Sequence, residues 1–107
     1  MSLSPKMGAG GSFNNQFLVK HMQLILYSKP GCHLCEGLQE KLAQVSLYDF
    51  DLEIRDITTN EKWFNAYQYE VPVLMQKLED KEKPLPRLSP RASVAKLEQM
   101  LQKYLVT

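Results

Sequence analysis

Apolar and polar residues alternate along the chain with two different periods, and the changes between these periods mark the predicted elements. Residues 22–27 form a near-continuous apolar run, which is typical of a central strand buried on both faces. Residues 32–46 carry apolar side chains at helical spacing, which predicts an amphipathic helix. The apolar side chains of that helix are Leu34, Leu38, Leu42 and Val45. Residues 51–56 alternate strictly, which predicts a second, less buried strand nearer an edge of the sheet.

The second half of the chain contains two further predicted helices. Residues 58–60 supply N-cap candidates for a short helix at residues 61–67. The aromatic side chains of this helix, which are expected to pack inward, are Trp63, Phe64 and Tyr67. Ser89 followed by Pro90 predicts the start of a closing helix. The apolar stripe of the closing helix consists of Val94, Leu97, Leu101, Tyr104 and Leu105.

Two short strands are predicted between these helices. Residues 71–75 are apolar and include a proline at their start, Pro72, whereas residues 83–88 contain two prolines and form an edge strand at best. The resulting order is β-α-β-α-β-β-α. This order predicts an α/β fold with a four-stranded mixed sheet, in which the first two strands are parallel and helices cover both faces.

Residues 1–20 differ from the rest of the chain, because they contain three glycines and three serines and no acidic residue. This composition predicts a flexible N-terminal tail, with an organelle-targeting segment as the alternative. The remaining residues, 21–107, are expected to form one domain.

Composition excludes several functional classes. The chain has 107 residues, 44% of them hydrophobic and 23% charged, and a formal net charge of +1, values that are ordinary for a globular protein. It has no Lys/Arg cluster of the kind that binds nucleic acid, and no apolar run long enough to cross a bilayer. We therefore expect a monomer without a nucleic-acid or membrane partner, in the cytoplasm or, if residues 1–20 are a targeting segment, in an organelle.

The chain contains only two cysteines, Cys32 and Cys35, and both lie where the first strand gives way to the first helix. Unpaired backbone N–H groups and the helix dipole at this position favour the thiolate of Cys32, which is the attacking form of a thiol. Cys35, one helical turn further on, is placed to attack a mixed disulfide at Cys32. The spacing predicts a redox-active catalytic pair. No metal site is expected, because only His21 and His33 could add ligands to the two thiols.

Residues 27–35, Tyr-Ser-Lys-Pro-Gly-Cys-His-Leu-Cys, resemble the active-site segment of glutaredoxins and glutaredoxin-like proteins of the thioredoxin superfamily. Residues 70–73, Glu-Val-Pro-Val, are similar to the cis-proline signature of the same family. The resemblance runs from about residue 22 to the C-terminus. It implies a thioredoxin-like fold and a thiol–disulfide oxidoreductase that reduces protein or glutathione mixed disulfides and is regenerated by a thiol reductant. It also implies that Lys29, Val71 and Pro72 bind the substrate.

Three questions stay open at this stage. Glutathione is a candidate co-substrate, although the Gly-Gly-containing turn with which glutaredoxins hold it has no counterpart, since no glycine follows Gly37. One alternative function without turnover is an iron–sulfur module, in which a dimer shares a cluster through one cysteine per subunit. The other is an adaptor that binds a protein partner beside Pro72. No resident cofactor is expected.

Overall fold

The computed structural model describes residues 20–46 and 48–106, so most of the predicted N-terminal tail lies outside the described residues. The helices and strands follow the predicted order. They are β1 (Lys20–Ser28), α1 (His33–Ala43), β2 (Tyr48–Asp56), α2 (Glu61–Tyr67), β3 (Val73–Lys77), β4 (Glu82–Pro84) and α3 (Val94–Tyr104). A short 3-10 turn, Ile57–Thr59, joins β2 to α2. The predicted fold class is confirmed. No helix among the described residues is long and apolar enough to cross a bilayer.

The four strands form one mixed sheet in the order β2-β1-β3-β4. Strand β1 pairs in parallel with β2 and antiparallel with β3, and β3 pairs antiparallel with β4. The parallel pair requires a crossover connection, which α1 supplies, whereas β3 and β4 need only a short turn. Since β1 lies inside the sheet and β2 at its edge, the continuous apolar run of β1 and the alternating pattern of β2 are both explained.

The two faces of the sheet carry separate apolar clusters. The larger cluster lies between the sheet and helices α1 and α3, and three residues of β1 contribute to it: Met22, Leu24 and Leu26. The smaller cluster contains Ile25 and Tyr27 of the same strand, and Trp63 and Tyr67 of α2 pack against it. The alternation of β1 side chains between the two clusters follows from the two-residue repeat of a strand.

The predicted start of the closing helix was wrong. Ser93 is the N-cap residue of α3, and its hydroxyl accepts a hydrogen bond from the Lys96 N–H at 3.2 Å. Ser89 instead begins a separate turn, which is closed by a hydrogen bond from the Ala92 N–H to the Ser89 carbonyl at 2.9 Å. Both serines precede residues that can form a helix, but the turn that begins at Ser89 separates it from α3.

Three predicted core residues are exposed. Leu34 is 49% exposed, and Phe64 and Tyr104 are each 38% exposed. The α2 helix spans only seven residues, so it turns a single narrow face to the sheet, and Phe64 falls outside that face. On α3 the buried residues are Leu97, Met100 and Leu101, whereas Tyr104 in the last turn is partly exposed.

A buried glutamine attaches the segment after α3 to the sheet. Gln76 of β3 is 2% exposed. Its side-chain Nε2 donates to the Val106 carbonyl at 2.8 Å, and its Oε1 accepts from the Val106 N–H at 2.8 Å. The amide thereby satisfies both of its polar atoms, as a buried amide must.

Candidate functional site

The sheet register brings two loops together at one edge. Tyr27, the penultimate residue of β1, pairs with Val73, the first residue of β3. Because these strands are antiparallel, the residues that follow β1 and the residues that precede β3 emerge at the same end of the sheet. The turn at residues 29–32 and the loop at residues 68–72 therefore lie side by side.

The turn that leads to Cys32 is fixed by its own sequence. The Cys32 N–H donates to the Lys29 carbonyl at 3.3 Å, with Pro30 and Gly31 at the two central positions. Gly31 has φ of +78°, a conformation that side chains with a Cβ rarely adopt. Proline followed by a glycine of positive φ is the pattern of a type II turn. This turn ends with Cys32 at the N-cap of α1.

The two cysteines form a disulfide, with their Cα atoms 5.3 Å apart. The Cys35 backbone N–H also donates to the Cys32 sulfur at 3.1 Å, so the sulfur caps the helix. Cys35 is 2% exposed, whereas Cys32 is only half-buried. Of the two cysteines, Cys32 is therefore the more exposed to an incoming molecule.

The three predicted substrate-binding residues lie in these two loops. The Lys29 ammonium group contacts the Gln68 carbonyl at 3.4 Å and so connects the loops. The Val71 N–H donates to the Tyr67 carbonyl at 3.1 Å, at the end of α2. The peptide bond between Val71 and Pro72 is cis. These contacts define how the loop is held, and the predicted role of the three residues toward a substrate is taken up below.

A groove of about 540 Å³ is lined by Glu70 and Pro72 of the 68–72 loop and by His33, the residue that follows Cys32. Leu34 and Leu38 of α1 form one wall, residues 84–90 form the other, and residues 73–75 form the floor. Pro72 is one of the apolar residues that line the groove. The exposure of Leu34, which the sequence placed in the core, is explained by this position in the wall of an open groove.

The lysine and arginine side chains that line the groove already donate hydrogen bonds to backbone carbonyls of the protein. The Lys41 ammonium group donates to the Pro90 carbonyl at 2.7 Å. The Arg87 guanidinium donates to two carbonyls of the 68–72 loop. His33 is exposed, with its Nδ1 atom 3.7 Å from the Glu36 carboxylate. Among residues 20–46 and 48–106, no three His, Cys, Asp or Glu side chains form a group that could hold a metal ion.

A polar cluster under α2 supports the loop from below. Arg55 of β2 donates to the Tyr27 hydroxyl at 2.8 Å and to the Glu82 carboxylate of β4 at 3.1 Å. The Tyr27 hydroxyl in turn donates to Glu82 at 2.6 Å. The Arg55 guanidinium also lies 5.1 Å from the centre of the Trp63 ring, and the Tyr67 ring lies 4.4 Å from that of Tyr27. The cluster therefore joins both edge strands to the helix from which the 68–72 loop departs.

Stability at alkaline pH is expected to depend on Tyr27. Burial, followed by the hydrogen bond to Glu82, raises the pKa of Tyr27 from 10.0 to about 12. The unfolded chain therefore loses this proton first, and the stabilisation falls as pH rises from 10 towards 12. We expect wild type to lose about 2 kcal/mol more than Tyr27→Phe between pH of about 9.5 and 11.5, since each pKa unit corresponds to about 1.4 kcal/mol. Urea unfolding at each pH measures this difference.

The matched control for this experiment is Tyr69→Phe, which removes the hydroxyl of a side chain that is 91% exposed. Its pH profile should follow that of wild type. Equal slopes for wild type and Tyr27→Phe would contradict the expected role of the Tyr27 hydroxyl.

Two arginines make contacts at the site that the sequence did not predict. Arg87 contacts the loop through backbone carbonyls that are 15 and 17 residues away along the chain. Arg55 reaches Tyr27 and Glu82 across the sheet. No local pattern marks either arginine. The one sequence signal for Arg55 was that a basic residue stands near the end of an alternating strand. In the sheet register, Arg55 is paired with Tyr27.

The fold and the site define a thioredoxin-like chain with a Cys-x-x-Cys disulfide at the start of its first helix. A solved structure of thioredoxin 1 from the thermophilic eubacterium Thermosipho africanus TCF52B is similar, with a TM-score of 0.50 and 18% sequence identity, covering 78% of this chain and 93% of that one. Residues 23–102 match the model of the family described as Glutaredoxin-like domain (DUF836). The chain therefore belongs to the glutaredoxin-like domain family. No curated protein matches it.

Proposed function

We propose that this protein is a thiol–disulfide oxidoreductase in which Cys32 is the nucleophile and Cys35 the resolving thiol. The observation that carries the proposal is the unequal environment of the two sulfurs. Cys32 is the more exposed of the two residues, and its sulfur accepts a hydrogen bond from the Cys35 N–H at the helix N-terminus, an arrangement that favours a thiolate. Cys35 is buried one helical turn further on, so it would attack only a mixed disulfide that has already formed at Cys32.

The reaction consists of two exchanges. The Cys32 thiolate attacks one sulfur of the substrate disulfide, which forms a mixed disulfide and releases the other half of the substrate as a thiol after it gains a proton. The Cys35 thiol loses its proton and attacks the Cys32 sulfur, which releases the second half and forms the Cys32–Cys35 disulfide. The substrate gains two electrons and the protein loses two. An external thiol reductant then restores the dithiol, and a reducing compartment such as the cytoplasm would supply it.

We assign the substrate edge of the site to Lys29, Val71 and Pro72. All three lie in the two loops that meet beside Cys32, and Pro72 also borders the groove. An extended chain bound here would lie along the 71–72 backbone in the manner of an added strand. Since the Val71 N–H is engaged by the Tyr67 carbonyl, this substrate contact would involve the Val71 carbonyl unless the loop opens.

The groove favours a protein disulfide over glutathione as the substrate. Glutathione carries two carboxylates, and a site for it would present free cationic groups. Lys41 and Arg87, the lysine and arginine of the groove wall, both donate to backbone carbonyls. The exposed Leu34 side chain and the proline-rich wall at residues 84–90 instead provide apolar surface for side chains that flank a disulfide.

A redox titration against glutathione buffers tests the proposal. Since Cys32 and Cys35 are the only cysteines of the chain, counting free thiols follows this couple alone. We expect one reversible two-electron transition, from two free thiols to none, together with turnover of a disulfide-bonded peptide. We also expect a higher kcat/KM for that peptide than for a glutathionylated one.

The other outcomes separate the alternatives. A transition without turnover of either substrate would contradict the oxidoreductase and support an adaptor that binds a partner beside Pro72. Iron and visible colour in protein purified without oxygen, with no thiol transition, would support the cluster-binding module. A preference for the glutathionylated peptide would overturn the substrate assignment but leave the oxidoreductase in place.

A further inference from the structure

Arg87 holds the two carbonyls that bracket Val71. Its Nη1 atom donates to the Glu70 carbonyl at 2.5 Å and to the Pro72 carbonyl at 3.2 Å. One guanidinium nitrogen has two N–H bonds, so a single nitrogen can serve both carbonyls at once. The backbone of Val71 therefore lies between two carbonyl groups that are fixed by the same atom.

The backbone next to Arg87 is anchored to the core and to the sheet. Leu85, two residues earlier, is 8% exposed in the larger core cluster, and its N–H donates to the Leu74 carbonyl of β3 at 3.1 Å. On the opposite side the Val71 N–H donates to the Tyr67 carbonyl of α2. The loop is thus held between the end of α2 and a side chain anchored next to the core.

From this geometry we propose that Arg87 is a positioning residue for disulfide exchange: it fixes the Val71 backbone beside Cys32 and thereby sets the affinity for an extended disulfide substrate. The inference rests on the proposed oxidoreductase function. Within the part of the chain that the structure describes, the guanidinium bonds only to backbone carbonyls. It acts on the reaction through the loop and not through the sulfurs.

Loss of the guanidinium leaves two carbonyls without their charged donor, and the loop can then move relative to Cys32. An extended substrate would have to order the loop when it binds, which weakens binding. A small reagent that needs no backbone contact would still meet the same Cys32 thiolate. Loss of the Arg87 guanidinium should therefore weaken peptide binding and leave the intrinsic reactivity of Cys32 unchanged.

The test compares wild type, Arg87→Gln and Arg87→Lys in the reduction of an amide-capped peptide disulfide, with dithiothreitol as the reductant. We expect KM for the peptide to rise about tenfold in Arg87→Gln, with kcat changed less than about twofold. Arg87→Lys, which keeps the charge but lacks the planar group with its paired donors, should fall between the two. The rate at which iodoacetamide alkylates Cys32 in the reduced protein should stay unchanged in both variants.

Arg91→Gln is the matched control. Arg91 is exposed, and among residues 20–46 and 48–106 its guanidinium has no hydrogen bond or ion pair, so this variant should keep the wild-type KM. If Arg87→Gln does not fold, Arg87→Lys carries the test, and its KM should still exceed that of Arg91→Gln.

Four results would overturn the inference. They are an unchanged KM in the Arg87 variants, an equal rise in Arg91→Gln, a parallel fall in alkylation rate, and a rise that occurs only with carboxylate-bearing substrates. The last of these would make Arg87 a direct anion ligand. Absence of wild-type turnover with every disulfide donor would instead remove the proposed oxidoreductase and the inference together, so the two failures are distinguishable.

Discussion

Cys32→Ser is expected to reduce disulfide-exchange turnover by roughly a thousandfold or more, because a serine hydroxyl does not supply the nucleophile that opens a disulfide. Cys32 is the more exposed of the two cysteines, since Cys35 is only 2% exposed. The buried thiol cannot substitute for it. Turnover of a peptide disulfide, assayed with dithiothreitol as the reductant, measures the loss.

Cys35→Ser is the matched variant, with the same change three residues further along α1. It retains the attacking sulfur but lacks the thiol that completes the reaction, so it should accumulate a mixed disulfide at Cys32. Intact-mass measurement should show one substrate half bound per molecule, and dithiothreitol should release it. Trapping by Cys32→Ser and not by Cys35→Ser would reverse the two roles, and trapping by neither would contradict the dithiol route.

The second large effect is expected on stability. Leu26 is fully buried in the larger core cluster, at the centre of the sheet between β2 and β3. Leu26→Ala removes apolar contacts and leaves a cavity, which costs about 2 to 5 kcal/mol. Small domains have roughly 5 to 15 kcal/mol of stability in total, so the variant should unfold at much lower urea concentration.

Ile54→Ala provides the control, because Ile54 is paired with Leu26 in the sheet register but is 41% exposed on the edge strand. Its loss should be smaller, about 1 kcal/mol, since 41% of the residue is already exposed to solvent in the folded protein. Equal losses for the two variants would show that β1 is not the central buried strand.

The order of elements was predictable because each element repeats its own period. The apolar run of β1 and the leucines of α1 differ in spacing, and a break at Pro30 and Gly31 separates them. The cysteine pair was predictable for the same reason, since a strand-to-helix junction is a local feature. The start of α3 was not, because Ser89 and Ser93 are equivalent as N-cap residues until the helix docks.

Contacts between distant segments lay beyond the sequence pattern. Arg87 binds carbonyls, which every residue has, so nothing in its sequence neighbourhood identifies the loop that it contacts. Gln76 follows three apolar residues in β3, and its partner is a backbone group 30 residues later. The orientation of Phe64 likewise depends on how α2 lies across the sheet. These features arise from tertiary geometry that helical or strand periodicity does not encode.

The pairing of Gln76 with the Val106 backbone also bears on synthesis of the protein at the ribosome. The sheet can begin to assemble once β4 has emerged, but one of its faces is covered only in part, by α1, until α3 arrives. Only when residue 106 has left the exit tunnel does the Gln76 amide gain both of its partners. Before residue 106 is free, a nascent chain therefore exposes part of the larger apolar cluster, and its Gln76 amide bonds to water instead of to the Val106 backbone.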